Sequence, residues 1–391
     1  TPISVMSIPP TFYLLHAPDR RRWLTRVMTQ GASLLGAALL GAPTTAHALP
    51  SRTLQFPRDH GSHPDLRTEW WYITGHLEAG DKPWGFQLTF FRSRVDGTQT
   101  MQSAFAAKQL LFAHAAVTDV RADRLLHDQR IARAGFGVAR ASESDADIRL
   151  QDWSLVRSNQ SGPTGKDGQL GSRYQAHIVT AAFDLNLQFD STQPLLIQGQ
   201  EGLSRKGPEP SQASYYYSQP QLAVLGSLSV GGNRMAVAPN TGRAWMDHEW
   251  SESLMHPEAV GWDWIGMNLT DGSALTAFRL RRADGSALWA GGSLRGAGKT
   301  TRVFDATEVV FTAERIWTSA ASGVRYPVQW RVQTPFGAFK VNALLDNQEL
   351  DSSNSTGAIY WEGLSELQNA AGQTVGKGYL EMTGYAEPLR L

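Results

Sequence analysis

The chain has 391 residues, with 36 lysine and arginine side chains against 36 aspartate and glutamate side chains, 13 tryptophans and no cysteine. A neutral chain without a basic run lacks the phosphate-neutralising face of a nucleic-acid-binding protein, and the absence of cysteine excludes disulfide scaffolds, thiolate metal sites and cysteine nucleophiles. The length predicts about two domains of ordinary size.

The first 48 residues have the features of an export signal. The consecutive arginines Arg20 and Arg21 precede an apolar stretch at 27–42, and a small-residue pattern ends at Ala48. Together these form a secretory signal, and the paired arginines resemble a twin-arginine signal. We therefore predict cleavage after Ala48 and a periplasmic or secreted mature protein. No later apolar run is long enough to cross a membrane, so we predict no integral membrane segment in the mature chain.

The mature chain alternates apolar and polar residues with a period of two, the pattern of strands with one buried face. The clearest alternating runs are 84–90, 183–189 and 328–332. Asp-Gly pairs, which are typical of hairpin turns, lie at 96–97, 271–272 and 284–285. No long amphipathic helix is evident, and the best short candidate covers 103–111. The sequence therefore predicts an all-β fold of antiparallel barrels or sandwiches.

A faint internal repeat favours two similar β-domains. Residues 70–80 align with 262–272 through a Trp, an Ile, a Leu and a final Gly. Further on, 90–97 aligns with 278–285 after a shorter loop. Two matches in the same order favour duplication over chance.

The strand pattern is interrupted between 220 and 242, where Gly, Pro and Asn are concentrated. We therefore predict an N-terminal domain at 49–230 and a C-terminal domain at 231–391. The segment 158–171, rich in Ser, Gly, Gln and Asp, predicts a mobile loop inside the first domain.

The segment 244–250 holds three titratable residues between two tryptophans. In a strand, Asp247 and Glu249 share one face while His248 points to the other. A carboxylic acid among aromatic rings is desolvated, which raises its pKa and allows it to donate a proton near neutral pH. The indole faces beside it can also stabilise a developing cation. The alternative is that the tryptophans belong to the core and the acids are solvated or paired with arginines.

Two histidines, His60 and His63, come shortly before Glu69. These residue types can bind a metal. A Gly between the histidines and a Pro after them predict a loop rather than a helical ligand pair. We therefore predict no metal site, and favour a histidine-lined rim or a structural hydrogen bond from Glu69.

A run of three tyrosines occupies 215–217, and alternation places Tyr216 on the opposite face from its two neighbours. Its hydroxyl can bind a substrate oxygen, or the ring can form an amphipathic pocket wall. The sequence contains no nucleophile elbow, phosphate-binding loop or dinucleotide motif, so we predict no cofactor.

Several ordered motifs carry a resemblance to a known family. They are Glu69-Trp70-Trp71-Tyr72, Gly75-His76-Leu77, Ala213 to Ser218, Gly242 to Trp250 and Gly261 to Trp264. Over about residues 52–388, the chain resembles the carotenoid 1,2-hydratases, also called hydroxyneurosporene synthases, and their exported AttH-like relatives. The resemblance implies two tandem lipocalin-like β-domains.

Related folds include enzymes that hydrate or cyclise apolar polyenes, among them intramolecular Diels–Alder cyclases. In this family an acidic residue is thought to protonate an isolated double bond, after which water captures the tertiary cation. The chain departs from carotenoid hydratases in its export signal, so the resemblance does not imply a carotenoid substrate.

The residues and the resemblance together predict an exported, cofactor-free hydratase or isomerase for an apolar, unsaturated or terpenoid-like molecule. Asp247 is the predicted proton donor, and Glu249 or Asp263 would receive a proton or position water. The predicted substrate-binding residues are Glu69, Trp71, Tyr216, Trp245, His248, Trp250 and Trp264.

Two alternatives remain at this point. Lipocalin-like barrels are often binders, so the protein could be a non-catalytic carrier of a lipid or hydrophobic ligand that serves a membrane export system. A weaker alternative is a hydrolase with Asp247 and Glu249 as acid and base. A carrier would tolerate conservative changes at both acids, whereas either enzyme would lose turnover.

Overall fold

The computed structural model describes residues 48–160 and 171–389. Within these ranges the chain forms β-strands and two single-turn 3-10 helices, Arg58–His60 and Asp96–Thr98. The predicted signal segment, apart from Ala48, and most of the predicted loop at 158–171 lie outside the described residues. No helix in the described ranges is long and apolar enough to cross a membrane.

The first sheet contains all the described strands up to Ser253. Its strands are β1 Thr68–Ala79, β2 Lys82–Arg94, β3 Gln109–Asp119, β4 Arg124–Arg133, β5 Ala139–Ala141, β6 Asp147–Leu150, β7 Trp153–Asn159, β8 Ser172–Val179, β9 Phe183–Asp190, β10 Leu196–Ile197, β11 Leu203–Arg205, β12 Ala213–Val230, β13 Asn233–Ala236 and β14 Arg243–Ser253. The strand order is β4-β3-β2-β1-β14-β12-β9-β8-β7-β6-β5, and β10, β11 and β13 pair with β12. Its two ends approach each other where β4 contacts β6, so the sheet is a nearly closed barrel.

The second sheet contains the remaining strands. They are β15 Gly261–Leu269, β16 Ala274–Arg281, β17 Ala287–Arg295, β18 Thr301–Phe304, β19 Val310–Thr318, β20 Arg325–Thr334, β21 Gly337–Ala343, β22 Glu349–Ser352, β23 Ala358–Gln368 and β24 Thr374–Met382. The order is β18-β17-β16-β15-β24-β23-β21-β20-β19, and β22 pairs with β23. All pairings in both sheets are antiparallel.

The two sheets share one topology. Each begins with a four-strand meander, β1 to β4 or β15 to β18, and the first strand of each meander also pairs with the last strand of its sheet. The repeat between 70–80 and 262–272 falls on β1 and β15, which occupy the same place in the two sheets. The all-β prediction of two tandem lipocalin-like units is confirmed.

The predicted alternating runs 84–90, 183–189 and 328–332 lie in β2, β9 and β20. Each Asp-Gly pair lies between two strands that pair with each other. The short helix considered at 103–111 is absent, because 109–111 already belong to β3 and hydrogen-bond to β2 and β4.

The sheets divide later in the chain than the predicted boundary at 230/231. Both β13 and β14 follow that point, yet β13 pairs with β12, and β14 lies between β1 and β12. The division therefore falls between Ser253 and Gly261. The glycines and prolines at 220–242 mark turns within the first sheet rather than its end.

Side-chain alternation gives each sheet two apolar faces. In β1, Trp71 and Ile73 point into the core of the first sheet, whereas Tyr72 points the other way. In β15, Ile265 belongs to the core of the second sheet, and Trp264 points away from it. The outward faces of the two sheets meet in a third apolar cluster, where burial of large aromatic rings stabilises the contact.

Candidate active site

A cavity of about 1080 Å³ lies where the two sheets meet. The first sheet contributes Trp70, Tyr72, Tyr216, Asp247 and Glu249 to its lining. The second sheet contributes Trp264, Phe278, Tyr360, Glu362 and Glu381. A smaller concavity of about 610 Å³ at Gln175, Leu225 and Arg234 has no acid and no aromatic ring in its lining. The interior cavity is therefore the candidate site.

Strand register brings the cavity acids of the first sheet together. On β14, Asp247 and Glu249 are two residues apart and share the cavity face. Across the sheet, Asp247 lies opposite Tyr72 of β1 and Ser218 of β12. Glu249 lies opposite Tyr216 of β12. The sequence prediction that Asp247 and Glu249 share one face is thus confirmed.

The carboxyl group of Asp247 is buried and accepts three hydrogen bonds. Its Oδ1 accepts from Ser218 Oγ at 2.6 Å and from Trp245 Nε1 at 2.7 Å, and its Oδ2 accepts from the Tyr216 hydroxyl at 2.7 Å. Burial raises the pKa of Asp247 to about 7, although these hydrogen bonds work in the opposite direction. A large share of Asp247 therefore carries a proton at neutral pH.

Glu249 has a different environment from Asp247. Its Oε1 lies 3.0 Å from Lys206 Nζ and accepts a short hydrogen bond from Ser214. The same ammonium group lies 4.6 Å from the ring centroid of Tyr216 and 4.3 Å from that of Phe278. Lys206 therefore holds Glu249 as a paired carboxylate, while Asp247 has no cationic partner among the described residues.

Trp245 and Trp264 meet edge to face at the cavity wall, with ring centroids 6.3 Å apart. Trp264 also makes an edge contact with Tyr72, at 5.3 Å. Gly266 is required at this point, because a Cβ there would overlap the Trp264 ring. The two tryptophans have separate tasks, since Trp245 binds the Asp247 carboxyl group and Trp264 lines the cavity.

Three predicted binding residues face the interior of the first sheet instead of the cavity. Trp71, His248 and Trp250 are fully buried, and Trp71 stacks on His248 with ring centroids 4.8 Å apart. The alternation of β1 and β14 explains this position, because these residues are offset by one from the cavity residues. They pack in the core of the first sheet, behind the residues that line the cavity.

Glu69 lies at the edge of the cavity, but its carboxylate is fully engaged. Oε1 lies 2.7 Å from His63 Nδ1 and 3.0 Å from His248 Nε2, and Oε2 accepts from Arg92 Nε at 2.8 Å. Burial alone would raise the pKa of Glu69, but the hydrogen bonds from His248 and His63 and the charges of these two rings together outweigh burial and hold the pKa well below its usual range. The other nitrogen of His63, Nε2, lies 3.0 Å from Asp59 Oδ1.

His63, Glu69 and His248 are also a possible metal-ligand set, since their ligand atoms lie within 4.8 Å of one another. All three are buried, and each ligand atom already has a hydrogen-bond partner. Arg92 adds a positive charge at 2.8 Å from the shared carboxylate. These contacts fit the structural hydrogen bond from Glu69, one of the two alternatives to a metal site that the sequence favoured.

Asp263 lies apart from the other predicted acids. Its carboxylate is fully buried on the face of β15 that points away from the cavity. Oδ2 lies 2.7 Å from Arg279 Nε and 3.1 Å from Arg281 Nε, and Oδ1 accepts from the Tyr385 hydroxyl at 2.9 Å. The structure therefore places Asp263 in an ion-pair network of the second sheet, beside the cavity residue Trp264 in sequence but opposite to it in direction.

Sequence reasoning missed two cavity acids, Glu362 on β23 and Glu381 on β24. They are direct cross-strand partners, and Glu381 is also opposite Trp264. Burial, and then the charge of Glu381, raise the pKa of Glu362 well above its usual value. Glu362 directly follows Tyr360 and Trp361, and Glu381 follows Tyr379 and Leu380, so an acid beside bulky apolar residues was the available signal, as it was for Asp247.

The fold and the cavity define a lipocalin-like protein of two packed antiparallel sheets with an acidic and aromatic interior site. A family model described as AttH-like matches residues 47–385, and the chain belongs to the AttH-like family. The crystal structure of an AttH candidate from Nitrosomonas europaea is 45% identical and matches over 86% of this chain and 99% of that one, with a TM-score of 0.76.

Two more distant structures share the fold. Kievitone hydratase from Nectria haematococca is 15% identical over 87% of this chain and 98% of its own, with a TM-score of 0.63. CghA in complex with Sch210972 is 14% identical over 81% of this chain and 88% of its own, with a TM-score of 0.51. No curated protein matches the chain in sequence.

Proposed function

We propose that this protein is a hydratase-like enzyme that protonates an isolated double bond of an apolar, unsaturated small molecule. The observation that carries the proposal is Asp247, a carboxyl group with a pKa of about 7 in the wall of a cavity lined by aromatic rings. Such a group keeps a proton at neutral pH and can give it to a weakly basic carbon. The shared fold of a hydratase agrees with this proposal.

The hydrogen bonds of Asp247 suit a proton donor. When Asp247 transfers its proton to one alkene carbon, a carboxylate and a carbocation form. The hydroxyls of Ser218 and Tyr216 and the indole N–H of Trp245 then stabilise that carboxylate. Because these donors are in place before reaction, they need no reorganisation when the charge develops.

The cavity walls suit the cation. Trp264, Tyr72 and Phe278 present ring faces or edges to the space beside Asp247. Aromatic faces attract a positive charge without acting as nucleophiles, so they extend the life of a tertiary cation until water attacks. This chemistry requires no cofactor from the protein.

A carrier of an unchanged apolar ligand is the alternative, because a cavity of about 1080 Å³ with mostly apolar lining can hold such a molecule. In that case a membrane export system is the proposed partner. The cavity acids favour catalysis over carriage, since the carboxyl groups of Asp247, Glu362 and Glu381 would lose their hydration beside an apolar ligand without a cation to compensate.

The test is incubation of the protein with squalene and geranylgeraniol in ¹⁸O-labelled water, followed by mass spectrometry. A product heavier by one labelled water, absent with Asp247→Asn, would support the hydratase. Label in a cleaved fragment would instead indicate a hydrolase. An unchanged compound that co-purifies with both proteins would indicate a carrier, and equal turnover by Asp247→Asn would reject the assigned proton donor.

We also propose that the protein is exported through the twin-arginine-type signal ending at Ala48. The experiment is fractionation of cells expressing the full chain with Arg20→Lys and Arg21→Lys together. Loss of the processed form from the periplasm or medium is the expected result. Unchanged processing would contradict this route.

A further inference from the structure

Glu362 and Glu381 form a carboxyl pair on the wall of the cavity that belongs to the second sheet. They are directly opposite each other in the β23–β24 pairing, and both line the cavity that Asp247 lines from the first sheet. Glu362 is 3% exposed, whereas Glu381 is half-buried. The cavity thus has acids on both walls.

This pair has no counter-ion in the described part of the chain. Two cations among the described residues line the cavity, and both are already paired, Lys206 with Glu249 and Arg92 with Glu69. One oxygen of Glu362, Oε1, is buried and has no hydrogen-bond partner among the described residues. Two carboxylates at directly opposite positions of one cavity wall repel each other when both carry a charge, so a single proton shared between them is the favoured state.

A second orphaned group lies among the same acids. The Tyr72 hydroxyl is buried and makes no well-formed hydrogen bond among the described residues; the acid within reach of it is Glu362, and Tyr72 is opposite Asp247 in the sheet. Burial, together with the charges of Glu362 and Glu381, raises the pKa of Tyr72 well above its usual value, so the hydroxyl stays protonated. An unused donor and an unused acceptor beside one cavity are the two contacts that a bound water requires.

We propose that Glu362 and Glu381 share one proton and act together as the base that takes a proton from the attacking water, which Tyr72 positions. This inference rests on the proposed hydratase function and assigns the base that the addition of water requires. Glu249 is held by Lys206, and Asp263 points away, so neither is free for this task.

The step balances without a further reactant. Asp247 gives its proton to one alkene carbon, and the water oxygen forms a bond to the cationic carbon. The resulting oxonium loses one proton to the carboxyl pair, which leaves the alcohol. Transfer of that proton back to the Asp247 carboxylate through cavity water restores the enzyme, and the net change is alkene plus water to alcohol.

Proton sharing is tested by infrared titration of protonated carboxyl groups in the wild-type protein and in Glu362→Gln and Glu381→Gln. The charged and titratable groups that face the pair are Tyr72, Lys206, Asp247, Glu249, Tyr360 and Tyr379. Removing either member of the pair should lower the protonation midpoint of the other. An unchanged midpoint in both variants would overturn the shared proton.

The role as base is tested with the alkene that the wild type hydrates, in water labelled with both deuterium and ¹⁸O. When the enzyme deuterates the alkene and the resulting cation then loses a proton, the recovered alkene contains deuterium. Completed hydration instead places ¹⁸O in the alcohol. Glu362→Gln and Glu381→Gln should lower alcohol formation about 100-fold and leave deuterium wash-in within about threefold of wild type. Asp247→Asn should lower both about 100-fold.

Glu366→Gln, the same change on the same strand but outside the cavity lining, is the matched control and should leave both labels unchanged. Proportional loss of both labels in the pair variants would indicate a structural role and overturn the proposal. If Asp247→Asn kept the incorporation of deuterium and the pair variants lost it, the pair would be the proton donor instead of the base. That result would also overturn the proposal. A wild type that introduces neither label would refute the hydratase, and with it the base, while the infrared titration still decides the shared proton.

Discussion

The indole Nε1 of Trp245 donates a 2.7 Å hydrogen bond to Oδ1 of Asp247, two residues further along the same strand. Burial raises the pKa of Asp247, and this hydrogen bond opposes that rise by stabilising the carboxylate. The strength of the acid is thus set by two opposed effects. The hydrogen bond can be removed by one substitution.

Trp245→Phe keeps an aromatic side chain and removes the Nε1 donor. A hydrogen bond to a charged group contributes about 1.5–3 kcal/mol, so its loss should raise the pKa of Asp247 further and make it a weaker acid. We expect a higher infrared titration midpoint for Asp247 and slower proton transfer. Trp264→Phe is the control, because Trp264 lines the cavity without bonding to Asp247. A midpoint that falls in Trp245→Phe would contradict the assigned contact.

Asp247→Asn should change how stability depends on pH. The folded-state pKa of about 7 exceeds the ordinary value of 3.8, so the folded protein binds more protons than the unfolded chain between these values. The contribution of Asp247 is therefore fully present below about pH 4 and is lost as the pH rises through about 7. Asparagine fits the site, because its Oδ1 can accept from Ser218 and Trp245 while its Nδ2 donates to Tyr216.

The measurement is urea unfolding of both proteins at several values of pH between 4 and 8. The free energy of unfolding of the wild type should fall relative to that of Asp247→Asn across this window, by at most about 4 kcal/mol. Parallel curves would show that Asp247 titrates normally in the folded protein.

Lys206→Met should destabilise the protein. It removes the cation 3.0 Å from Glu249 while leaving that carboxylate buried, a change that typically lowers the free energy of unfolding by about 3 kcal/mol. The double variant Lys206→Met with Glu249→Gln should recover most of the loss, since no unpaired charge remains. Additive losses in thermal or urea unfolding would indicate that the pair is not coupled.

Asp263→Asn should reduce stability without changing the chemistry. Arg279 and Arg281 would lose their shared carboxylate, which lies on the far side of β15 from the cavity. At temperatures where the variant is folded, the catalytic rate constant and its pH profile should match those of the wild type. A rate loss as large as that of Asp247→Asn would contradict the position assigned to Asp263.

Chelation should leave the melting temperature unchanged. His63, Glu69 and His248 can approach a metal geometrically, but their ligand atoms bind each other, and Arg92 bonds to the same carboxylate. We therefore expect no stabilisation by added Zn²⁺ and no loss with EDTA in scanning calorimetry. Glu69→Gln, in contrast, should destabilise the protein by about 3 kcal/mol, because it leaves buried cationic partners unpaired. A Zn²⁺-dependent rise in melting temperature would refute the hydrogen-bond interpretation.

Local alternation was enough to predict which neighbours share a face. Asp247 and Glu249 were placed together and opposite to His248 from their spacing alone, and the structure agrees. The same rule predicted the strands at 84–90 and 328–332. It works because side chains in a strand alternate between faces whatever the rest of the fold does.

Alternation alone does not predict which face of a strand lines the cavity. Trp71, His248 and Trp250 were expected at the site and instead pack inside the first sheet. Both faces of β1 and β14 are buried, one against the core of their own sheet and one against the other sheet. Large apolar residues therefore occur on both faces, and their burial alone does not indicate which face lines the cavity.

The sequence by itself determined the all-β class, the repeated topology, the AttH-like family and the acid pair on one strand, because these depend on residue type and on spacing within single segments. Only the tertiary structure decided that Glu362 and Glu381 join Asp247 around one cavity and that Asp263 does not. Those relationships depend on the register of strands far apart in the chain and on how two sheets pack. Residue spacing within a strand does not encode either one.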